Sequence, residues 1–240
     1  MKKVLITRPA DVAQKMADRL VSNGIECVLD PMLIPVRADN VVFMDRHAED
    51  GFIFTSPRAV EYFCDLSFQV NFDMPAYCVG EKTAQKAKDR GFENVTAGPG
   101  GSADLAKLIM EKAEPGARLM HPCGEHVEDN FYETLKEDGF IVAPLQVYRM
   151  DRAPRMQEDA LVSIRTGDIS SVVFFSKRTA AAFAALAEEH GVMDHMHDVN
   201  AICISDPVTE ALKFADWKKI LVSDEKTENG LIKKCIELKG

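Results

Sequence analysis

The sequence predicts an α/β protein of two similar domains, each built on a doubly wound parallel sheet. Short apolar runs, typical of buried strands, alternate with amphipathic helical segments along the chain, which is the pattern of parallel-sheet architecture. The second half of the chain also repeats the order of segments in the first half, which indicates a duplicated domain. The expected domain type is flavodoxin-like or Rossmann-like.

The strands and helices follow from the apolar pattern. In chain order, the expected strands are 4–6, 25–29, 52–54, 77–79, 119–120, 140–142, 172–175, 201–204 and 220–222. Amphipathic helices lie between them, and the first of these is expected to end at Gly24 because glycine favours the left-handed backbone of a helix end. Ser102 and Asp206, the latter followed by a proline, are expected to cap two later helices.

Three pairs of segments define the internal repeat. The pairs are Pro9 with Pro122, Ser56 with Ser176, and Gly80 with Ser205, at separations of 113, 120 and 125 positions. The separations increase smoothly, as expected for an old duplication with insertions in loops. An extended prolyl segment follows the second strand of each half, at 31–37 and 144–149, and these segments are expected to connect the domains. The repeat leaves open whether the domains are interleaved or arranged in tandem.

Composition restricts the class of protein. The net charge is −9, which argues against a nucleic-acid partner because phosphate binding needs a basic face. No apolar run approaches the roughly 20 residues of a membrane helix, and the opening segment fits a strand better than a signal peptide. The six cysteines are isolated from one another, as expected for reduced thiols. We therefore expect a cytoplasmic monomer without membrane contact.

Four turns between a strand and a helix carry hydroxyl, glycine or basic residues. Ligands of α/β proteins bind beyond the carboxyl ends of the strands, where helix N-termini also point. A single turn of this kind is explained by helix capping, whereas four on one side of a duplicated fold favour a cleft for a large polyanion. The candidate binding residues in these turns are Thr7, Arg8, Thr55, Ser56, Arg58, Gly80, Lys82, Thr83, Ser176, Lys177 and Arg178.

Other candidates carry weaker signals. His121 follows a strand, and we expect it to face the same cleft. The segment 98–102 is glycine-rich but lacks the lysine of a phosphate loop, so it is interpreted as a turn before a helix. The segment 195–197 has two histidines without further ligands at metal-binding spacing, so no metal site is expected. Tyr148 lies in the second prolyl segment, where it is equally well explained as a strand residue or as a proton donor.

Taken together, these segments resemble the uroporphyrinogen-III synthase family over nearly the whole chain. The matching segments are 5–9, 54–60, 79–84, 147–148 and 175–176. The resemblance implies interleaved domains, one formed by 1–35 with 152–240 and the other by 40–145. The connectors would then be 36–39 and 146–151.

The resemblance also implies a reaction. The family substrate is hydroxymethylbilane, a linear tetrapyrrole with eight carboxylates, which the enzyme closes with loss of water and inversion of the last ring through a spiro intermediate. The resemblance makes Tyr148 the general acid for hydroxyl departure and implies no cofactor or metal. The expected partners are this substrate and, transiently, the preceding enzyme of the pathway.

The chain departs from the family pattern in two turns. In the turn 205–209 the hydroxyl expected at position 208 is replaced by Val208, so Thr209 is the candidate binding residue there, and Asp206 adds a negative charge. Lys177 stands where the family usually has proline. The sequence leaves three alternatives open, which are a non-enzymatic two-domain module that binds a polyanionic small molecule, a scaffold of two receiver-like domains, and a nucleotide-sugar transferase.

Overall fold

The computed structural model describes residues 2–39, 41, 49–66, 70–125 and 129–239. Along these residues the strands are β1 (Lys3–Ile6), β2 (Cys27–Leu29), β3 (Leu33–Arg37), β4 (Gly51–Phe54), β5 (Ala76–Cys78), β6 (Val95–Ala97), β7 (Arg118–Cys123), β8 (Ile141–Gln146), β9 (Tyr148–Arg152), β10 (Ile169–Phe174), β11 (Asn200–Cys203) and β12 (Lys219–Val222). The α-helices are α1 (Ala10–Ser22), α2 (Pro57–Cys64), α3 (Glu81–Asp89), α4 (Ser102–Lys112), α5 (Asp129–Glu137), α6 (Glu158–Arg165), α7 (Lys177–Glu189), α8 (Asp206–Thr209) and α9 (Glu228–Glu237).

Ten of the described strands form two five-stranded parallel sheets with the same spatial order of equivalent strands. Within the described residues, one five-stranded sheet has the order β12-β11-β10-β1-β2 and the other has the order β6-β5-β4-β7-β8. The first follows the flavodoxin-like order 2-1-3-4-5 when its strands are numbered along the chain. The second has the same spatial order with β7 and β8 coming last in sequence instead of first. The predicted α/β class with doubly wound parallel sheets is therefore confirmed.

The chain divides into two compact units. Unit 1 contains Met1–Ile34 and Asp151–Gly240, and unit 2 contains Pro35–Met150. The chain passes between the units in β3 and β9, which pair as a two-stranded sheet. The residues predicted as extended connector strands, 36–39 and 146–151, lie mostly at the ends of β3 and β8 and in β9.

The sheet register corrects one separation in the repeat. In unit 1, Leu5 pairs with Val172, and in unit 2, Met120 pairs with Phe52. Phe52 and Val172 are equivalent, because they are separated by the 120 positions found for this part of the repeat. Their partners Met120 and Leu5 are therefore equivalent too. These lie 115 positions apart, whereas the alignment of Pro9 with Pro122 gave 113. The alignment of the two prolines was wrong because β7 runs two residues further than β1 before its turn. His121 therefore takes the place of the buried strand residue Ile6.

Each unit has its own apolar core. In unit 1, helices α1 and α9 bury residues such as Met16, Leu20 and Leu231 against the sheet. In unit 2, Phe52 and Phe54 project from β4 and make edge-on contacts with Phe92, at ring-centroid distances of 5.4 and 5.3 Å. Fully burying each such side chain contributes about 1.5–3 kcal/mol. None of the described helices is both long and apolar enough to span a bilayer.

The structure bears out one prediction at a helix end and corrects two others. Gly24 follows the end of α1 with φ of +70°, as predicted from the preference of glycine for this backbone region. The capping roles of Ser102 and Asp206 were wrong: both are first residues of their helices, and the N-cap positions are Gly101 and Ser205. The short strand β6 was missed because its residues are few and only partly buried.

Asp30 is a buried carboxyl group at the end of β2. Its side chain is 1% exposed. Oδ2 accepts a hydrogen bond from the Gln157 backbone N–H at 3.2 Å, and Oδ1 has no hydrogen-bond partner among the described residues. Burial raises the pKa of Asp30 to about 7, although the Gln157 hydrogen bond opposes this. Since the folded state holds a proton that the unfolded state releases, Asp30 lowers stability as pH rises from about 4 to about 7.

We expect Asp30→Asn to remove this pH dependence. As pH rises from 4 to 8, the wild type should lose about 2–4 kcal/mol of unfolding free energy that the variant keeps. Urea unfolding across this pH range measures the difference. Asp216→Asn removes an exposed carboxylate and should leave the profile of the wild type unchanged. Identical profiles for Asp30→Asn and the wild type would contradict the buried, protonated state of Asp30.

Candidate functional site

An open cavity lies at the carboxyl edge of the unit 2 sheet. Its volume is about 500 Å³, and it is lined by Thr55, Ser56, Val79, Gly100, Gly101, Ser102, Cys123, Gly124, Phe131 and Tyr148. Thr55 and Ser56 directly follow β4, and Cys123 ends the neighbouring strand β7. In the spatial order of the sheet, β4 and β7 flank the point where the connections change direction. This is where ligands of doubly wound proteins bind.

The ring of Tyr148 is held on several sides. A Cβ atom at Gly124 would lie 2.7 Å from Tyr148 Cζ, so only glycine allows the ring to approach this turn. Tyr62 stacks on the Tyr148 ring at a centroid distance of 5.6 Å and an interplanar angle of 26°. The guanidinium carbon of Arg58 lies 5.5 Å from the ring centroid. These contacts fix the ring of Tyr148, a residue that lines the cavity.

The groups around Tyr148 are themselves anchored. The Tyr62 hydroxyl donates a hydrogen bond to the Pro35 carbonyl at 2.9 Å, and Arg58 Nη1 lies 3.4 Å from the sulfur of Met150. In the part of the chain that the structure describes, the Tyr148 hydroxyl has no hydrogen-bond partner. The arrangement orients a phenol whose O–H group remains available to a ligand.

Two helix starts open onto the same cavity. Ser56 is the N-cap of α2, and its Oγ accepts from the Ala59 N–H at 3.1 Å. Helix α4 begins at Ser102 after Gly101, an N-cap without a side chain. Free N–H groups and the helix dipole make such ends favourable to carboxylates. The cavity therefore combines a phenol donor with two places suited to an anion.

His121 lies behind the cavity wall rather than in it. Its side chain is fully buried, its Nε2 is 3.0 Å from Thr55 Oγ1, and its Nδ1 is 2.8 Å from the Tyr132 hydroxyl. Burial lowers the pKa of His121 to about 4, so the imidazole is neutral at pH 7. The expectation that His121 faces a cleft was wrong, because this position belongs to the buried part of β7.

Three further predicted residues of unit 2 lie in the turn between β5 and α3 or on the first turn of α3, namely Gly80, Lys82 and Thr83. Gly80 packs against the glycine-rich loop, since a Cβ there would lie 3.6 Å from Gly100 Cα. Thr83 is 2% exposed, and Lys82 is exposed on the first turn of α3. Of the predicted residues in this unit, the structure brings Thr55, Ser56 and Tyr148 together in one cavity.

In unit 1, the equivalent switch point is occupied by protein groups. Arg8 Nη1 forms an ion pair with Glu228 Oε2 at 2.5 Å. The guanidinium carbon of Arg8 lies 4.0 Å from the ring centroid of Phe175. Thr7 is fully buried and donates to the Val173 carbonyl at 2.7 Å. A ligand carboxylate at Arg8 has to compete with Glu228.

The remaining predicted residues of unit 1 lie at two helix starts. Ser176 caps α7 by accepting from the Thr179 N–H at 3.1 Å, and Lys177 and Arg178 are exposed on the first turn of that helix. Thr209 donates to the Asp206 carbonyl at 2.7 Å. Capping thus explains the hydroxyls of Ser176 and Ser56 locally. The binding roles of these unit 1 residues remain predictions.

A comparison with sequence models of protein families shows to which family the chain belongs. The sequence model of the family described as uroporphyrinogen-III synthase HemD matches residues 14–233, which covers most of both units. The chain belongs to this family. Among curated proteins, no sequence matches the chain significantly.

Solved structures show the same fold as this member of the HemD family. The uroporphyrinogen-III synthetase of Helicobacter pylori aligns with a TM-score of 0.61 at 14% identity, covering 99% of this chain and 100% of that one. A mutant uroporphyrinogen III synthase of the extremely thermophilic bacterium Thermus thermophilus aligns with a TM-score of 0.50 at 17% identity, over 100% of both chains. At such identities the likeness establishes the two-unit architecture.

Sequence reasoning missed part of the cavity wall. Gly100, Gly101 and Ser102 line it, although their segment lacks the lysine of a phosphate loop and the sequence alone predicts only a turn there. Their signal was a glycine run between a strand and a helix, at the edge where ligands bind. Gly124 was missed because the repeat had been aligned on Pro122, which placed the turn two residues too early.

We expect Gly124→Ala to displace the Tyr148 ring, because the added methyl would overlap it. In protein labelled with 3-fluorotyrosine, the Tyr148 resonance, assigned by its loss in Tyr148→Phe, should shift or broaden. Overpacking should also cost about 1–3 kcal/mol of stability. Gly101→Ala is the matched control, since the nearest atom to its Cβ is Asp104 Oδ2 at 3.6 Å. An unmoved Tyr148 resonance in Gly124→Ala would contradict the close contact.

Proposed function

We propose that this chain is a uroporphyrinogen-III synthase, a carbon–oxygen lyase of the hydro-lyase type that acts in the cytoplasm as a monomer. It converts hydroxymethylbilane to uroporphyrinogen III with loss of water and inversion of the last ring, on the route to haem, sirohaem and cobalamin. The observation that carries the proposal is the family match over residues 14–233. The oriented phenol in the unit 2 cavity supports it independently.

Tyr148 acts as the general acid of the first step. The C–O bond of the hydroxymethyl group breaks as the phenol donates its proton to the departing oxygen, and water leaves. The resulting electrophile is attacked by the substituted carbon of the last ring, which forms the spiro intermediate. Fragmentation and reclosure then invert that ring, and loss of a proton completes the macrocycle. A phenol whose ring is fixed and whose hydroxyl is open to a ligand suits this role.

The rest of the cavity orients the substrate. Carboxylates of the tetrapyrrole are bound by the Thr55 and Ser56 hydroxyls and at the start of α4, where the helix dipole favours negative charge. Arg58 adds a positive charge beside the Tyr148 ring. Because uncatalysed closure gives the isomer without ring inversion, holding the reacting ends is as important as proton transfer. Orientation can supply roughly 7–11 kcal/mol in the best intramolecular cases.

Further contacts are proposed on the predicted turns. In unit 2 they involve Gly80 and Lys82, with Thr83 and His121 acting from behind the surface. In unit 1 the proposed binding groups are Arg8, Ser176, Lys177, Arg178 and Thr209, with Thr7 supporting the turn. Basic and hydroxyl side chains at these positions can donate hydrogen bonds to the eight carboxylates of the substrate.

The decisive test supplies freshly prepared hydroxymethylbilane to the purified protein without any cofactor. Product isomers are separated after oxidation, and the wild type is compared with Tyr148→Phe. We expect the wild type to give mainly isomer III and Tyr148→Phe to lower kcat by about 10²–10⁴-fold, the usual contribution of a general acid.

Tyr62→Phe is the matched control for this test. This variant removes the Tyr62 hydroxyl, which donates to the Pro35 carbonyl, and keeps the ring that stacks on Tyr148. It should therefore retain most of the activity. Isomer III at equal rates from the wild type and Tyr148→Phe would keep the enzyme and remove Tyr148 as the acid. Isomer I alone, at the rate without protein, would overturn the function and favour a module that only binds a polyanion.

A further inference from the structure

His121 occupies a position where packing alone does not call for a polar residue. The equivalent residue in unit 1 is Ile6, which is fully buried in β1, the strand that occupies the same place in its sheet. A buried imidazole is costly unless both nitrogens are hydrogen-bonded. Both are bonded here, to Thr55 and to Tyr132. The histidine therefore connects two hydroxyl groups, which an aliphatic residue could not do.

The direction of these hydrogen bonds follows from the chemistry of the groups. A neutral imidazole has one N–H donor and one acceptor nitrogen. The Tyr132 hydroxyl has a single hydrogen and lies near both His121 Nδ1 and the Cys123 sulfur. The single acceptor nitrogen of the imidazole can take a hydrogen from Tyr132 or from Thr55. A phenol is a stronger donor than an aliphatic hydroxyl, and an imidazole nitrogen is a stronger acceptor than a thiol, which favours Tyr132 as the donor to Nδ1. In that arrangement the proton of His121 is on Nε2, which donates to Thr55 Oγ1 over 3.0 Å.

This arrangement determines what Thr55 presents to the cavity. With its oxygen accepting from His121, the Thr55 hydroxyl hydrogen is free to point into the cavity that it lines with Tyr148. The opposite tautomer would turn that hydrogen inward to Nε2 and leave oxygen lone pairs facing the ligand. A hydroxyl donor attracts a carboxylate, whereas exposed lone pairs repel it.

We propose that His121 is a positioning residue that, with Tyr132, fixes the Thr55 hydroxyl as a hydrogen-bond donor to a carboxylate of the substrate. This inference rests on the proposed function for the identity of the substrate. The edge-on contacts of the imidazole with Phe131 and Tyr132, at centroid distances of 5.8 and 5.6 Å, hold its ring plane. The neutral state required is the one that burial enforces.

Two amide variants separate the two nitrogens of His121. In His121→Gln the amide reaches the position of Nε2 and can still donate to Thr55. In His121→Asn the amide reaches only the position of Nδ1, so it keeps Tyr132 and loses Thr55. We expect KM for hydroxymethylbilane to stay within about 2-fold of the wild type in His121→Gln and to rise about 5- to 10-fold in His121→Asn. kcat should change little in either variant, because the acid is Tyr148.

A purely structural histidine would give a different result. Loss of either hydrogen bond would then lower the thermal unfolding temperature and the folded fraction. KM would not differ between His121→Gln and His121→Asn, and the loss of folded protein would appear as a lower apparent kcat. Binding of uroporphyrin III, the stable oxidised product, is measured in parallel by fluorescence titration. Its Kd should rise in His121→Asn in the same ratio as KM.

Two further variants keep the test decisive if His121→Asn does not fold. Thr55→Val removes the proposed donor and should raise KM at least as much, and Thr55→Ser should restore it. Tyr132→Phe leaves the imidazole in place but removes the hydrogen that fixes its tautomer, so KM should rise about 2- to 5-fold. In the Thr55→Val background, Tyr132→Phe should have no additional effect on KM.

The outcomes distinguish this inference from the function on which it rests. If the wild type makes isomer III while KM and Kd are unchanged in Tyr132→Phe, or equal in His121→Asn and His121→Gln, the positioning role is overturned and the function stands. If the wild type makes no isomer III, the function fails, and the uroporphyrin titration still tests the role of His121 in carboxylate binding. An unchanged Kd there would overturn it.

Discussion

Parallel strand pairing is the constraint on which the rest of this structure depends. A strand that must run parallel to its neighbour returns through a helix, so every strand-to-helix turn of a unit lies at one edge of its sheet. Thr55 and Cys123 are 68 positions apart, yet they line one cavity because β4 and β7 are neighbours. The change in direction of the connections between these strands leaves room there for a ligand.

The two units show what duplication preserves and what it changes. Strand order and register are the same, and the equivalent turns have diverged. Where unit 2 has Thr55 and Cys123 beside a cavity, unit 1 has Phe175 and Arg8 in direct contact. Glu228 completes that contact with an ion pair. The shared scaffold thus fixes where a site can form, and the side chains decide whether the space is open or filled.

Several buried positions carry polar side chains where an apolar one would be expected from packing alone. His121 and Thr7 are fully buried and hydrogen-bonded, whereas one oxygen of Asp30 has no partner among the described residues. An aliphatic side chain would be the simpler solution at each position. Such exceptions occur most often where function sets the requirement. For His121 the proposed requirement is the orientation of its partner Thr55, which lies on the cavity wall.

The sequence by itself determined the alternating α/β pattern, the duplication, the family and the turns at which a site could form. The α/β pattern and the turns depend on local periodicity and on residues close together in the chain, and the duplication and the family depend on the order in which such short segments recur. The tertiary structure alone decided that β7 extends past Pro122, that His121 is buried, and that Gly124 admits the Tyr148 ring. Pro122 cannot donate to a sheet, and β7 pairs with β4 only at Leu119 and Met120. Which groups meet across the sheet edge is set by strand register and by contacts between distant segments. No local pattern in the chain encodes them.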